Sequence, residues 1–155
     1  MKRWCLLIGG IVLVILIVYF SYPRSFKEYE FSYTVENLSQ FKLVFAFDSD
    51  GNYKIEKCNF YMDNAQGKIR PVMKSGKFTD EEFERFDKLL KNADIFDMED
   101  MYGYDEASKD EDGFFSQIAL SADGKQKYVT IRNITEQKFP QPFLDFIKEV
   151  MLFMK

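Results

Sequence analysis

The run FKLVFAF, Phe41 to Phe47, places Phe41, Leu43, Phe45 and Phe47 at every second position. Side chains two apart share a face in an extended strand, so the run predicts a strand with one aromatic face. The earlier run YEFSYTV repeats the pattern with Tyr29, Phe31, Tyr33 and Val35. Two neighbouring strands with such faces cannot stay uncovered in water. They require a layer packed against them, and the rest of the chain must supply it.

The turn after FKLVFAF reads Asp48-Ser49-Asp50-Gly51-Asn52. Acids and amides at alternate positions resemble the start of a calcium loop, and Asp-Gly resembles a hairpin turn. Counted from Asp48, the sixth residue is Tyr53 and the twelfth is Asn59, where that loop needs Gly and Glu. The register favours a hairpin. A three-residue loop, Ser49 to Gly51, pairs Phe47 with Tyr53 and Phe45 with Ile55, which keeps the apolar face continuous. Gly51 then takes the left-handed position.

NYKIEKCNFYM continues as the return strand, with Cys58 read as a small buried core residue. IRPVMKSGKF contains Pro71, which cannot donate to a ladder, so this piece is expected as an edge strand or a bulge. TDEEFERFDKLLKNADIF opens with a capping box, Thr79 and Glu82, and carries Phe83, Phe86, Leu90 and Ala93 at helical spacing. In FFSQIALSADGKQKYVTIRN a two-residue Asp123-Gly124 turn pairs Ile118 with Val129 and Ser116 with Ile131. The final FPQPFLDFIKEVMLFMK is a helix introduced by Pro140 and Pro142. Its apolar residues surround most of it, so it lies deep in the fold or offers a second face to a partner or lipid. The expected class is α+β: an antiparallel sheet of four to six strands with two helices packed on one face.

Ahead of this domain, residues 4–20 carry no charge and are almost all apolar. As a helix they would extend about 25 Å, at the short end of a membrane span. A cleaved signal peptide is the rival reading, but no small-residue cleavage pattern follows, so the segment reads as an uncleaved anchor. Lys2 and Arg3 precede it, which by positive-inside logic leaves the N-terminus cytoplasmic and the domain periplasmic or extracellular. The expected division is 1–22 for the cytoplasmic tip and signal-anchor helix, 23–28 for a linker and 29–155 for the extracytoplasmic domain.

Composition excludes several classes of function. Past Lys2 and Arg3 the chain holds 19 bases against 25 acids, a net charge of −6, which opposes nucleic-acid binding. It has no histidine, hence no imidazole base or ligand. There is no nucleophile motif and no glycine-rich phosphate loop, so no catalytic residue, metal or cofactor is expected. Carboxylate pairs abound in any chain with so many acids, and a carboxylate-based hydrolase at the membrane surface is the alternative. Asp97 to Asp112 contains eight acids without regular spacing. This run reads as a solvated loop, a surface for a basic partner, or a site for a hard cation. Its Asp105, Glu106, Asp110, Glu111 and Asp112, with Phe146 and Phe153 of the last helix, are the residues expected to face a partner.

From Phe41 to Met154 the order is a hairpin, the TDEEFERFDKLLKNADIF helix, an acidic loop, the DGFFSQIAL–DGK–YVTIRN hairpin and a helix begun by Pro-x-Pro. This layout resembles that of emfourin-type inhibitors of bacterial metalloproteases. The resemblance implies a domain that acts by binding protein, and it assigns no individual residue. The expected function is a membrane-anchored binding domain: an inhibitor, an immunity-type protein, an accessory protein of an envelope complex or, alternatively, a structural subunit of a membrane complex.

Overall fold

A computed structural model describes residues 26–37, 40–60, 71–103, 114–132 and 139–155. The elements are β1 (Tyr29–Asn37), β2 (Phe41–Asp48), β3 (Asn52–Asn59), β4 (Val72–Lys77), α1 (Asp80–Asn92), a 3-10 turn (Ile95–Asp97), β5 (Met101–Tyr102), β6 (Phe115–Ala122), β7 (Lys125–Arg132) and α2 (Gln141–Phe153). The expected membrane segment at residues 4–20 lies outside the described residues. Among those described, no helix is long and apolar enough to cross a membrane.

Both hairpins have the expected registers. Phe47 pairs with Tyr53 and Phe45 with Ile55, and Gly51 is left-handed at φ 78°. Asp48 clamps this turn. Its Oδ1 accepts from the N–H groups of Asp50 and Asn52, each at 3.0 Å, and its Oδ2 accepts from Asn52 Nδ2 at 3.0 Å. The alternating polar residues thus serve the turn, and no group of three acids or thiols among the described residues is placed to hold a metal ion. In the second hairpin Ile118 pairs with Val129 and Ser116 with Ile131. Asp123 and Gly124 both have positive φ, the twist that suits a two-residue hairpin loop.

Helix α1 starts with the predicted capping box: Glu82 N–H donates to Thr79 Oγ1, and Glu82 Oε2 accepts from Thr79 N–H at 2.9 Å. The bonds that its carboxylate accepts from the Thr79 N–H and hydroxyl hold the Glu82 carboxyl below its ordinary pKa. Pro140 caps α2 and Pro142 sits in its first turn, where a missing N–H is harmless. At the other end Lys57 donates to the carbonyl of Met154 at 2.7 Å, satisfying one orphan acceptor with a cation. Both helices lie on the same face of the sheet. Phe86 of α1 meets Phe45 and Phe47, while Phe146 of α2 meets Phe31 at 4.9 Å and Phe47 at 6.5 Å. The core between the layers is largely phenylalanine, with Phe78 stacked on Phe86 at 4.8 Å.

The sheet has seven strands in the order β4-β3-β2-β1-β6-β7-β5, rather than four to six, and it is mixed rather than purely antiparallel. The addition is β5, two residues running parallel to β7. Asp100, from the run read as loop, holds it there: its carbonyl accepts from Thr130 N–H at 2.8 Å and its carboxylate pairs with Lys127. Strand β4, which follows Pro71, is an edge as expected.

Two core assignments change. Cys58 is buried, yet it pairs with Lys42 three positions after the inward Ile55, so it lies on the face away from the helices. Phe26, expected in the linker, is 7% exposed and packs edge-on against Tyr29 at 5.3 Å and Phe96 at 6.3 Å. Next to it Tyr29 Oη donates to Asp87 Oδ1 at 2.9 Å, and Lys91 pairs with Asp87 Oδ2 at 2.8 Å. The Lys91 ammonium lies 5.9 Å from the Phe26 ring.

Burial, reinforced by the Asp87 carboxylate, raises the Tyr29 pKa far above the ordinary phenol value; burial also raises that of Tyr33. The unfolded chain therefore releases these protons first as pH rises. The stability they contribute is complete below about pH 10 and falls as pH climbs toward their folded values. Urea midpoints measured into the alkaline range should fall less steeply for Tyr29→Phe than for the parent. Parallel curves would place the alkaline sensitivity elsewhere.

Candidate functional site

With both helices on one face, the other face of the sheet is open among the described residues, and its side chains form a grid. The strand registers place Lys54, Ala46, Ser32, Ala119 and Tyr128 side by side on β3, β2, β1, β6 and β7. Side chains stand roughly perpendicular to a sheet, so a row with Ala-Ser-Ala at its centre and Lys and Tyr at its ends is low in the middle. The outer members are four strand spacings apart, about 19 Å between backbones. The next row toward the hairpin tips reads Asp48, Glu30, Ser121 and Gln126. Together these residues line an open trough of about 430 Å³. Tyr128, at 55% exposure, forms one wall.

The trough continues at its acidic end into a second shallow concavity that shares Glu30, Asp48 and Ser121 and adds Glu28, Asp50 and Asp123. Asp48 is committed to its turn, as described above. Asp123 Oδ1 accepts from the N–H groups of Lys27 and Glu28, each at 3.3 Å. The carboxylates of Glu28, Glu30 and Asp50 make no hydrogen bond or ion pair among the described residues. Lys54, the trough's cation, lies 3.5 Å from Glu56 in an exposed pair that contributes little.

Glu30 and Asp48 face each other directly across β1 and β2 and are the nearest approach to a carboxylate pair in the trough. Asp48 already accepts several donors, which suits a turn clamp better than a base or nucleophile. Ser32 and Ser121 reach the same surface, but a chain without histidine offers them no imidazole base. The arrangement is suited to contact with a partner surface: small floor, aromatic wall, polar rim.

The residues expected to face a partner fare differently. Asp105, Glu106, Asp110, Glu111 and Asp112 lie outside the described residues. Phe146 is 0% exposed and belongs to the core, because the inward face of α2 is Phe143, Phe146, Val150 and Met154. Phe153 is half-buried against Tyr53 at 5.0 Å and Phe78 at 5.1 Å. The exposed apolar residues of α2 are instead Leu144, Met151 and Leu152. The large residues of each strand mark the core face, and the trough lies on the opposite face, which they do not mark. The two hairpin registers already placed Ala46 opposite Lys54 and Ala119 opposite Tyr128, and those small residues were the available signal.

No family model matches the chain, and no curated protein matches it in sequence. Function therefore rests on the geometry of the site.

Proposed function

We propose that the chain is a membrane-anchored extracytoplasmic domain that binds a protein partner through the open face of its sheet. The anchor is the uncharged segment 4–20, with the N-terminus cytoplasmic. The observation that supports binding is the trough: a wide, shallow concavity with a small-residue floor between Lys54 and Tyr128, on a sheet whose other face is filled by both helices. Wide shallow surfaces suit macromolecular contacts, and enclosed clefts suit small substrates. Within this reading the domain is an inhibitor, an immunity-type protein or an accessory protein of an envelope complex. The emfourin-like order of elements supports the first of these.

Two measurements test it on the full-length protein in native membranes. The chain should resist extraction by alkaline carbonate, and deletion of residues 4–20 should release it. A photo-crosslinking residue at Tyr128 should give a discrete adduct, whereas one at the exposed Glu84 of α1 should not. Release of the intact chain by carbonate would remove the anchor. Equal crosslinking, or none, at the two positions would remove the sheet face as the binding surface.

A further inference from the structure

We infer that the occupant of the trough is a cationic polypeptide segment, which seats an arginine or lysine at the Glu30 end with its aliphatic stem over Ala46 and Ala119. This deepens the binding reading above and rests on it. Three features on one surface point the same way. The floor is short, so a long side chain can lie flat across Ser32, Ala46 and Ala119 without displacing anything. Such stems bury well on apolar surface while their charged heads reach a polar rim. The rim at that end is acidic: the trough and its continuation carry Glu28, Glu30, Asp48, Asp50 and Asp123, and the trough's cation is Lys54. Glu28, Glu30 and Asp50 are left without hydrogen bonds or ion pairs among the described residues, so a partner cation need not displace one. Tyr128, paired with Ala119 and more than half exposed, adds an aromatic face beside the floor for another cation of the segment.

Other occupants fit less well. An anionic lipid headgroup or nucleic acid would meet five carboxylates. A second copy of the chain would bring another acidic rim to the first.

The probe is a fluorescent nona-arginine peptide, with a glutamate peptide of equal length as its counterpart. The protein is the full chain in zwitterionic phosphatidylcholine nanodiscs, so that the lipid adds no net charge. Fluorescence anisotropy at physiological ionic strength should show binding of the arginine peptide and not of the glutamate peptide. Glu30→Arg should weaken that binding by about tenfold or more, equivalent to the loss of one close charge pair with a repulsion added. Ala119→Trp, which alters no charge, should weaken it comparably by filling the trough. Tyr128→Ala, at an exposed position, provides a second neutral variant should Ala119→Trp fail to fold. Reversal of Glu81 and Glu84 on α1 should change binding less than about twofold, since the screening length at this ionic strength is about 8 Å.

The inference is overturned if the arginine peptide does not bind. It is also overturned if the neutral variants leave affinity unchanged, which would mean that net acidity alone attracts the peptide. Sedimentation that reveals a dimer dissociated by Ala119→Trp would assign the face to a second copy and overturn it as well. These outcomes are separable from failure of the binding reading itself. A crosslink from position 128 to a protein partner, with no effect of Glu30→Arg, sinks the cationic occupant and leaves the binding face standing.

Discussion

Phe45→Ala is expected to destabilise the domain by about 3–5 kcal/mol, the range for truncating a buried aromatic residue. Phe45 is 0% exposed and sits where strand and helix layers meet. Its ring lies 5.7 Å from those of Phe47 and Phe153, 5.8 Å from Phe86 and 6.5 Å from Phe78. These neighbours come from β2, α2, α1 and the segment between β4 and α1. No single element can move inward to close the hole without losing its own packing. Since whole domains are commonly stable by about 5–15 kcal/mol, the variant should be close to unfolding at 25 °C. Urea denaturation followed by near-ultraviolet circular dichroism would measure the loss. Phe45→Leu, which keeps most of the volume, should cost clearly less. Equal losses for the two variants would show that ring contacts, not cavity volume, dominate.

Gly51→Val should give the second large effect, and its proper comparison is Gly124→Val. The two glycines have nearly the same backbone, φ 78° and φ 77°. A β-branched residue held left-handed costs about 1–3 kcal/mol at either site. Their surroundings differ. A Cβ on Gly51 would lie 3.3 Å from the Phe83 ring, whereas a Cβ on Gly124 would have nothing within 4 Å. Phe83 belongs to the first turn of α1 and is half-buried against the core, so it cannot simply swing away. Gly51→Val should therefore exceed Gly124→Val by about 1–2 kcal/mol, as overpacking does elsewhere. Identical midpoint shifts for the two variants would mean that the Phe83 contact is soft.

These two sites show what the sequence made legible. The period-two pattern and the register of one hairpin mark Phe45 and Gly51 in the sequence itself. The capping box of Thr79 and Glu82, the edge position after Pro71 and the Asp123-Gly124 turn were legible for the same reason. Each is settled by residues close together in the chain. The short β5 was not legible, because two residues have no periodicity and what holds them is Thr130, far along the chain. The facing of α2 is not legible, because its apolar residues outnumber what one stripe needs. Which of Phe146, Leu144 and Met151 points inward is decided by where β1 and β2 lie beneath the helix. The side of the sheet that Cys58 occupies depended on counting parity from Ile55, not on its apolar character. The trough lies at the far limit of legibility. Its floor is assembled from β1, β2 and β6, and nothing local links Ser32 and Ala46 to Ala119.

The burial of Phe26 has a consequence for reach. Only five residues, 21–25, separate it from the end of the uncharged segment at Phe20. On the proposed anchoring, a chain of that length extends at most about 20 Å. The domain then has no long leash. Phe26 docks at the same end as both hairpin tips, where Ser49 N–H bonds to the Tyr29 carbonyl and Asp123 N–H to that of Glu28. That end, with the acidic rim of the trough, must stay within a headgroup layer or two of the bilayer. Such a geometry selects partners by altitude: a cationic segment close to the same membrane meets the rim, and one carried high on a tall ectodomain passes above it.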